Sequence, residues 1–391
     1  MRPLINRAIT FFQSGWSAPL ALLAVCVAAY GLWLPHLGFY WDSWPMNWIA
    51  QTMGADGLAR YFSTNRPVWG VCYQLSTPLL GASALPWQVS ALVLRWLTGV
   101  GAWALARLLW PRQKTAAVWV SLFFVVYPGF QQQSIGLLYS HFFIVLNAFL
   151  WSLVATLAAL RSPKWFWPFS AAAVLLSLVN LLSMEYFFML ELLRPLLIWL
   201  VLGDSIPERR KRWLPALSRW LPYLAVFLGA GVWRALLFPY TENNYRLVVV
   251  EQLQAQPMQT LIRLAFKALE QFWIVIGQAW GRVFSLPLGA DATLARRYWP
   301  VVALCLAGLF AWLAAQKPGV KEEKRGKPGW TMMLVGGLAL LLAGWPFWLT
   351  DVPFSLQFAF DRFTLPFMLG VSLLLGGLAW LLPVGRWLRS A

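Results

Sequence analysis

Apolar residues come in long runs, separated by short stretches where charge, proline and glycine collect. Runs near the ~20 residues that cross ~30 Å of hydrocarbon occupy 18–34, 87–109, 115–130, 142–160, 166–184, 187–203, 220–239, 299–315, 330–349 and 363–383, which predicts ten transmembrane helices. Residues 166–203 are apolar almost throughout but would stretch about 57 Å as one helix at ~1.5 Å per residue, so the chain must reverse inside them. Glu185, the strongly polar residue near their middle, is placed at that turn.

Two apolar stretches do not fit as full spans. Residues 67–82 are short and contain Pro67, Pro78 and Gly81, while residues 258–284 carry Arg263, Lys267, Glu270 and Arg282 at amphipathic spacing. Both are expected to be interfacial or half-spanning helices. The fold class is therefore an all-α polytopic membrane protein, with about ten transmembrane helices and two such extra helices. No repeat of fixed period and no soluble domain interrupts it, so residues 1–391 read as a single integral membrane domain.

Composition agrees. The 391 residues are 60% hydrophobic and only 12% charged, against roughly a quarter charged in soluble domains. The net charge of +17 would suggest nucleic acid in a soluble chain; in a membrane chain it marks cytoplasmic loops, and no nucleic-acid partner is expected. Cys26, Cys72 and Cys305 lie far apart, with no CxxC and no histidine at ligand spacing, so neither a disulfide framework nor a zinc site is encoded. The first run lacks a small-x-small cleavage site and leads into a Trp-rich segment, which reads as a retained anchor.

Charge also orients the chain. With the N-terminus inside, 19 of the 31 basic residues fall in short inner loops, including the run Glu208 to Arg212 and the cluster over 317–327, leaving 12 elsewhere. Both termini are then cytoplasmic and the expected location is the plasma (inner) membrane. The long segments 35–86 and 240–298 face outward and carry the candidate chemistry.

Within 35–86, Asp42 sits between Trp41 and Trp44 at the mouth of the first span, just ahead of a helix-like stretch from Pro45 to Ala59. It reads either as a helix N-cap flanked by an interfacial tryptophan belt or as a functional acid. Arg66, before Pro67, and Arg362, opening the last span, would share one depth at the headgroup layer. Each reads alone as a snorkelling cation; together they would clamp a phosphate through paired guanidinium donors. Glu185 is either a polar turn residue or a second acid–base group, and His141 either a hydrogen-bonded structural histidine or a base. Glu191 and Arg194, three apart, are expected to form a structural ion pair. Arg95 and Arg234 have no partner visible in the sequence. The stretch from Tyr240 to Gln254 is polar, then briefly strand-like. Its Glu242, Asn243, Asn244, Tyr245 and Arg246 suit sugar hydroxyls and ring stacking as well as an ordinary solvated loop.

The order of these features resembles the GT-C superfamily of integral-membrane glycosyltransferases, which use polyprenyl-phosphate sugars, such as the protein O-mannosyltransferases and the lipid A aminoarabinose transferases. The resemblance rests on an acidic residue after the first span, a basic-Pro dipeptide opening a half-span, a second span ending in basic residues (Ala106 to Trp110), and a late Arg-aromatic-x-Leu-Pro from Arg362. It implies Asp42 as the first-loop catalytic acid, Arg66 as the basic residue that contacts the carrier phosphate, and Arg362 as the late arginine near the donor. The chain departs from the pattern at Ser43, where many members have a second acidic residue, and at Val68, where they have a second proline. It departs again in the turn before the fourth span, where His141 or the run Gln131 to Gln133 stands in place of a carboxylate.

The expected function is transfer of a sugar from a polyprenyl-phosphate donor at the outer face. Asp42 would be base with Glu185 as the other catalytic candidate, Arg66 and Arg362 would bind carrier phosphate, and His141, Glu242, Asn243, Tyr245 and Arg246 would contact acceptor or sugar. No GxGxxG, GxxxxGK[ST] or DxD motif supports a nucleotide-sugar donor. No metal motif is encoded, and a divalent cation is left open. The expected partners are the lipid-linked donor and membrane lipids, with no oligomeric state encoded. The rival readings are a lipid-linked saccharide flippase or transporter and a non-catalytic cell-envelope assembly subunit.

Overall fold

The structure is a computed structural model that describes residues 16–239, 248–284, 292–315 and 326–381. Among the described residues all regular structure is helical, with no strand. In chain order the α-helices are α1 (Ser17–Cys26), α2 (Ser43–Ser63), α3 (Pro67–Leu80), α4 (Ala84–Leu109), α5 (Lys114–Val125), α6 (Gly136–Arg161) and α7 (Phe166–Ser183). They continue with α8 (Arg194–Val201), α9 (Trp213–Val232), α10 (Val248–Ala255), α11 (Pro257–Phe272), α12 (Ala292–Ala315), α13 (Gly326–Thr350) and α14 (Met368–Leu381).

Seven helical segments are long and apolar enough to cross a membrane: Ser17–His36, Ala84–Leu109, Gly136–Arg161, Pro163–Ser183, Arg210–Leu237, Pro328–Thr350 and Asp361–Leu381. Shorter apolar helices cover Lys114–Val125 and Trp299–Ala311. The protein is thus an all-α chain with the helices of a multi-pass membrane protein. The run 187–203 is no continuous span: a 3₁₀ turn over Met189–Leu193 leads into α8, whose eight residues rise only about 12 Å. Pro195, in the first turn of α8, removes a backbone donor and favours that break.

The expected reversal inside 166–203 is present. α7 ends at Ser183, Met184 is extended, and Glu185 begins a series of turns. Residues 67–82 form the 14-residue α3, too short to cross alone. α11 is amphipathic, with Met258, Leu261, Ile262, Phe266 and Leu269 exposed on one stripe, while its Lys267 pairs with Asp351. The strand-like reading after Tyr245 is corrected: Val248–Ala255 is the helix α10, packed against α13. Three consecutive valines do not outweigh the helix-favouring Glu, Gln, Leu and Ala that follow, because strand preference is weak without a neighbouring strand to pair.

The core lies where α6 packs against α4 and α7, and α13 against α14. Close approaches fix its register. A Cβ on Gly336 of α13 would stand 2.7 Å from the Gly370 carbonyl oxygen of α14, so only glycine lets these helices meet there. A Cβ on Gly70 would lie 2.9 Å from the Ala59 carbonyl oxygen, which sets α3 against α2. These two contacts seat the elements that carry Arg362 and Arg66.

Candidate functional site

Asp42 occupies the residue before α2, and its backbone carbonyl accepts the Met46 N–H at 3.3 Å. Its carboxylate makes no cap hydrogen bond, so the capping reading fails and the side chain is left for another purpose. Trp41 directs it there from the left-handed region, at φ 47°, which a bulky side chain adopts only when its surroundings impose it. Those surroundings are an edge contact with Phe358 at 5.2 Å and the Arg362 guanidinium 5.6 Å from the Trp41 ring.

Asp42, Arg66 and Arg362 line one cavity of about 310 Å³, with Trp41, Tyr61, Trp69 and Tyr186 among its aromatic walls. Arg66 precedes α3 and lies 5.1 Å from the Trp69 ring. Arg362 sits in the 3₁₀ segment Asp361–Phe367 ahead of α14, with Phe363 at 5.0 Å. Desolvation pushes the Asp42 carboxyl above the usual aspartate range, against the opposing pull of Arg362. An acid with a raised pKa beside two guanidiniums and an aromatic wall can accept a proton from a hydroxyl and stabilise an adjacent anion.

Glu185 is placed differently from Asp42. It is not among the residues lining this cavity; it bridges two arginines, accepting Arg66 Nη2 at 2.7 Å and Arg234 Nη2 at 2.5 Å. Burial would raise its carboxyl, but the two guanidiniums overcome that and hold it down to about 2. A carboxylate so stabilised is a poor base. Arg234, for which the sequence offers no partner, is therefore one arm of a mixed ion cluster on the π-helical turn Trp233–Leu237.

A larger cavity of about 540 Å³ also borders Trp41 and is lined by Tyr40, Gln131, Gln132, Ser134, Phe358 and Asp361 among others. Asp361 accepts the Gln131 N–H at 2.8 Å and is also bonded by Gln132 Nε2, whose amide oxygen accepts from the Tyr139 hydroxyl. Sequence reasoning passed over Asp361. The turn over Gln131 to Gln133, which has no carboxylate of its own, receives one from the start of the last span. The only sequence signal was its position beside Arg362.

The remaining residues serve packing or fall outside the described chain. His141 is buried, stacked on Tyr73 with ring centres 3.5 Å apart, its Nδ1 and Nε2 facing Ser140 Oγ and Ser76 Oγ at 3.2 and 3.4 Å, and it lines neither cavity. Glu242, Asn243, Tyr245 and Arg246 lie outside the described residues. Arg95 is buried and donates to the Val125 carbonyl at 3.0 Å, to Gln133 Oε1 at 3.2 Å and to the Tyr30 hydroxyl at 2.7 Å, which pins the turn before α6. Glu191 and Arg194 form the expected ion pair, fully buried and bonded further by Ser152, Thr156 and Ser177. Among the described residues no group of three or more His, Cys, Asp or Glu is arranged to hold a metal.

The Asp42 cavity draws on the segment after α1, the start of α6, the turn after α7 and the start of the last span, which all meet at one end of the helices. At the opposite end Arg161 binds the Leu108 carbonyl and Asp204, joining the loops after α4, α6 and α8. Compared with known proteins, the chain matches no family model, no curated relative and no solved structure, so its site is read from its own geometry.

Proposed function

We propose that the protein is a glycosyltransferase of the GT-C type that moves a sugar from a polyprenyl-phosphate donor to an acceptor hydroxyl at the outer face of the plasma membrane. The observation that carries this reading is the single cavity lined by Asp42, Arg66 and Arg362, three residues that stand far apart in the chain. Asp42 takes the proton of the acceptor hydroxyl, whose oxygen bonds to the anomeric carbon. The bond from that carbon to the carrier phosphate breaks, and the leaving phosphate keeps the electron pair. Arg66 and Arg362 stabilise that phosphate with charge-assisted hydrogen bonds. Of the two carboxylates, Asp42 is the better base, because its carboxyl is raised while that of Glu185 is held down.

The partners on this reading are the lipid-linked donor and membrane lipids, with both termini cytoplasmic. Trp41, Tyr61 and Trp69 offer aromatic faces for a sugar ring or for the first isoprene units. The test is transfer of radiolabelled sugar from a polyprenyl-phosphate donor by the purified chain in nanodiscs. The reading expects transfer that Asp42→Asn slows by about 10²-fold or more; movement of the intact lipid between leaflets with no transfer would favour a flippase instead.

A further inference from the structure

An apolar trough of about 350 Å³ runs along α9, lined by Phe188, Phe227, Leu228, Gly231, Val232 and Ala235 with Leu236. Every lining side chain is apolar or absent. The trough begins next to the ion cluster: Phe188 is one turn from Glu185, bonded to its carbonyl through a backbone N–H at 3.1 Å, and Ala235 follows Arg234 directly. Phe188 packs on Phe227 at 4.6 Å, and a Cβ on Gly231 would touch the Phe188 ring at 3.6 Å, so a larger side chain at this position would fill the trough beside the ring.

The cluster itself is accessible. Glu185 is 26% exposed, Arg66 19% and Arg234 18%, whereas the structural pair of Glu191 and Arg194 is fully buried and tied by three hydroxyls. Glu185 also sits in the irregular turn after α7, outside any helix. A phosphodiester carries the same single negative charge as the carboxylate and a phosphomonoester carries more, and both offer more acceptor oxygens to the two guanidiniums.

We infer that Arg66, Glu185 and Arg234 form an anion-exchange site for a lipid phosphate, in which Glu185 holds the two guanidiniums until the phosphate takes its place and the trough along Phe188 and Gly231 receives the first part of the lipid's apolar chain. This rests on the proposed reading for the identity of the lipid, a polyprenyl phosphate, and adds Arg234 as a phosphate-binding residue and Glu185 as a positioning residue. The coupling of a charged head site to an adjoining trough without polar groups commits it to a phosphate that carries a long apolar chain.

The experiment measures equilibrium binding of sugar-free polyprenyl phosphate to the full chain in phosphatidylcholine nanodiscs, with inorganic phosphate and unphosphorylated polyprenol as the other probes. Arg234→Gln should weaken polyprenyl-phosphate binding by about tenfold or more, the usual loss for a charge-assisted hydrogen bond. Glu185→Gln, which removes the resident anion, should tighten it, whereas a catalytic or merely structural Glu185 predicts unchanged or weaker binding. Gly231→Leu fills the trough without changing any charge and should weaken binding of the lipid without altering the Glu185→Gln effect. Inorganic phosphate should compete only at far higher concentration; equal competition would overturn the role of the trough. Binding that does not tighten in Glu185→Gln would overturn the exchange. Since no sugar is transferred in this assay, tightening without any transferase activity would keep the exchange site and reject the glycosyltransferase, and transfer without tightening would do the reverse.

Discussion

The backbone N–H of Gln131 donates to Asp361 Oδ2 at 2.8 Å, joining the turn before α6 to the residue that precedes Arg362. With Gln132 on the other oxygen and Tyr139 behind Gln132, this chain of hydrogen bonds fixes the 3₁₀ segment from which Arg362 reaches the cavity. Asp361 thus governs where Arg362 stands.

Asp361→Asn replaces one acceptor oxygen with an NH₂ group that must face a donor. The variant should lose about 1–3 kcal/mol of stability, as expected when a buried donor loses its charged acceptor. It should also weaken donor binding through a displaced Arg362. Thermal unfolding in detergent together with donor binding checks this; an unchanged melting temperature would remove Asp361 from the framework of the site.

The clamp makes its own prediction. A lysine in place of Arg66 or Arg362 keeps the charge but loses the planar fork that matches phosphate oxygens. Each Arg→Lys variant should therefore bind polyprenyl-phosphate sugar several-fold to tenfold more weakly. Parental affinity in both would reduce these arginines to interfacial anchors.

The seven long apolar helices and the reversal near Glu185 were legible because apolar length and charge are local properties of the chain, whereas the other three of the ten expected spans are shorter or broken. The pairing of charges was not. Arg234 and Glu185 are 49 residues apart and Asp361 lies 230 from Gln131, so nothing in their neighbourhoods announces a partner. Glu191 and Arg194 were readable because three residues make one helical turn. Asp42, Arg66 and Arg362 could be chosen as ionisable residues at span ends, but only packing shows that α3 and the last span bring both arginines to the cavity that Asp42 lines. The run over 187–203 misled because its hydropathy suits a span, while Pro195 and the turns from Glu185 onward break its helix.

Orientation is testable at exposed positions. Gly57 is buried, and a Cβ there would meet Met53, which makes it a poor labelling site; Thr52 on the same helix is exposed, as is Glu208 at the opposite end. In a variant with Cys26, Cys72 and Cys305 replaced, Thr52→Cys should react with an impermeant maleimide on intact cells and Glu208→Cys should not. The reverse pattern would place the cavity on the cytoplasmic side.

Stability against pH separates Glu185 from Asp42. The Glu185 carboxyl is lowered in the folded state, so its ion pairs stabilise the protein above the ordinary glutamate value, and this contribution is lost as pH falls towards about 2. Glu185→Gln should therefore melt below the parent at neutral pH, with the gap closing on acidification. A gap that persists at low pH would point to lost packing in place of lost charge pairing.

Asp42 carries the opposite sign. Its carboxyl is raised in the folded state, so its contribution to stability is complete below the ordinary aspartate value and is lost as pH rises through the folded one. At neutral pH the half-buried carboxylate works against folding, and because it caps nothing, Asp42→Asn should melt at or above the parental temperature with no advantage in acid. Turnover should move the other way. A positioned base contributes on the order of 10²–10⁴ in rate, so the Asn variant should lose at least the lower factor while still binding donor lipid. The parent's rate should fall as pH drops through the raised Asp42 value, and that limb should vanish from any residual activity of the variant. A variant both more stable and nearly inactive assigns the raised carboxyl to chemistry; a variant that transfers sugar at the parental rate removes Asp42 from the mechanism.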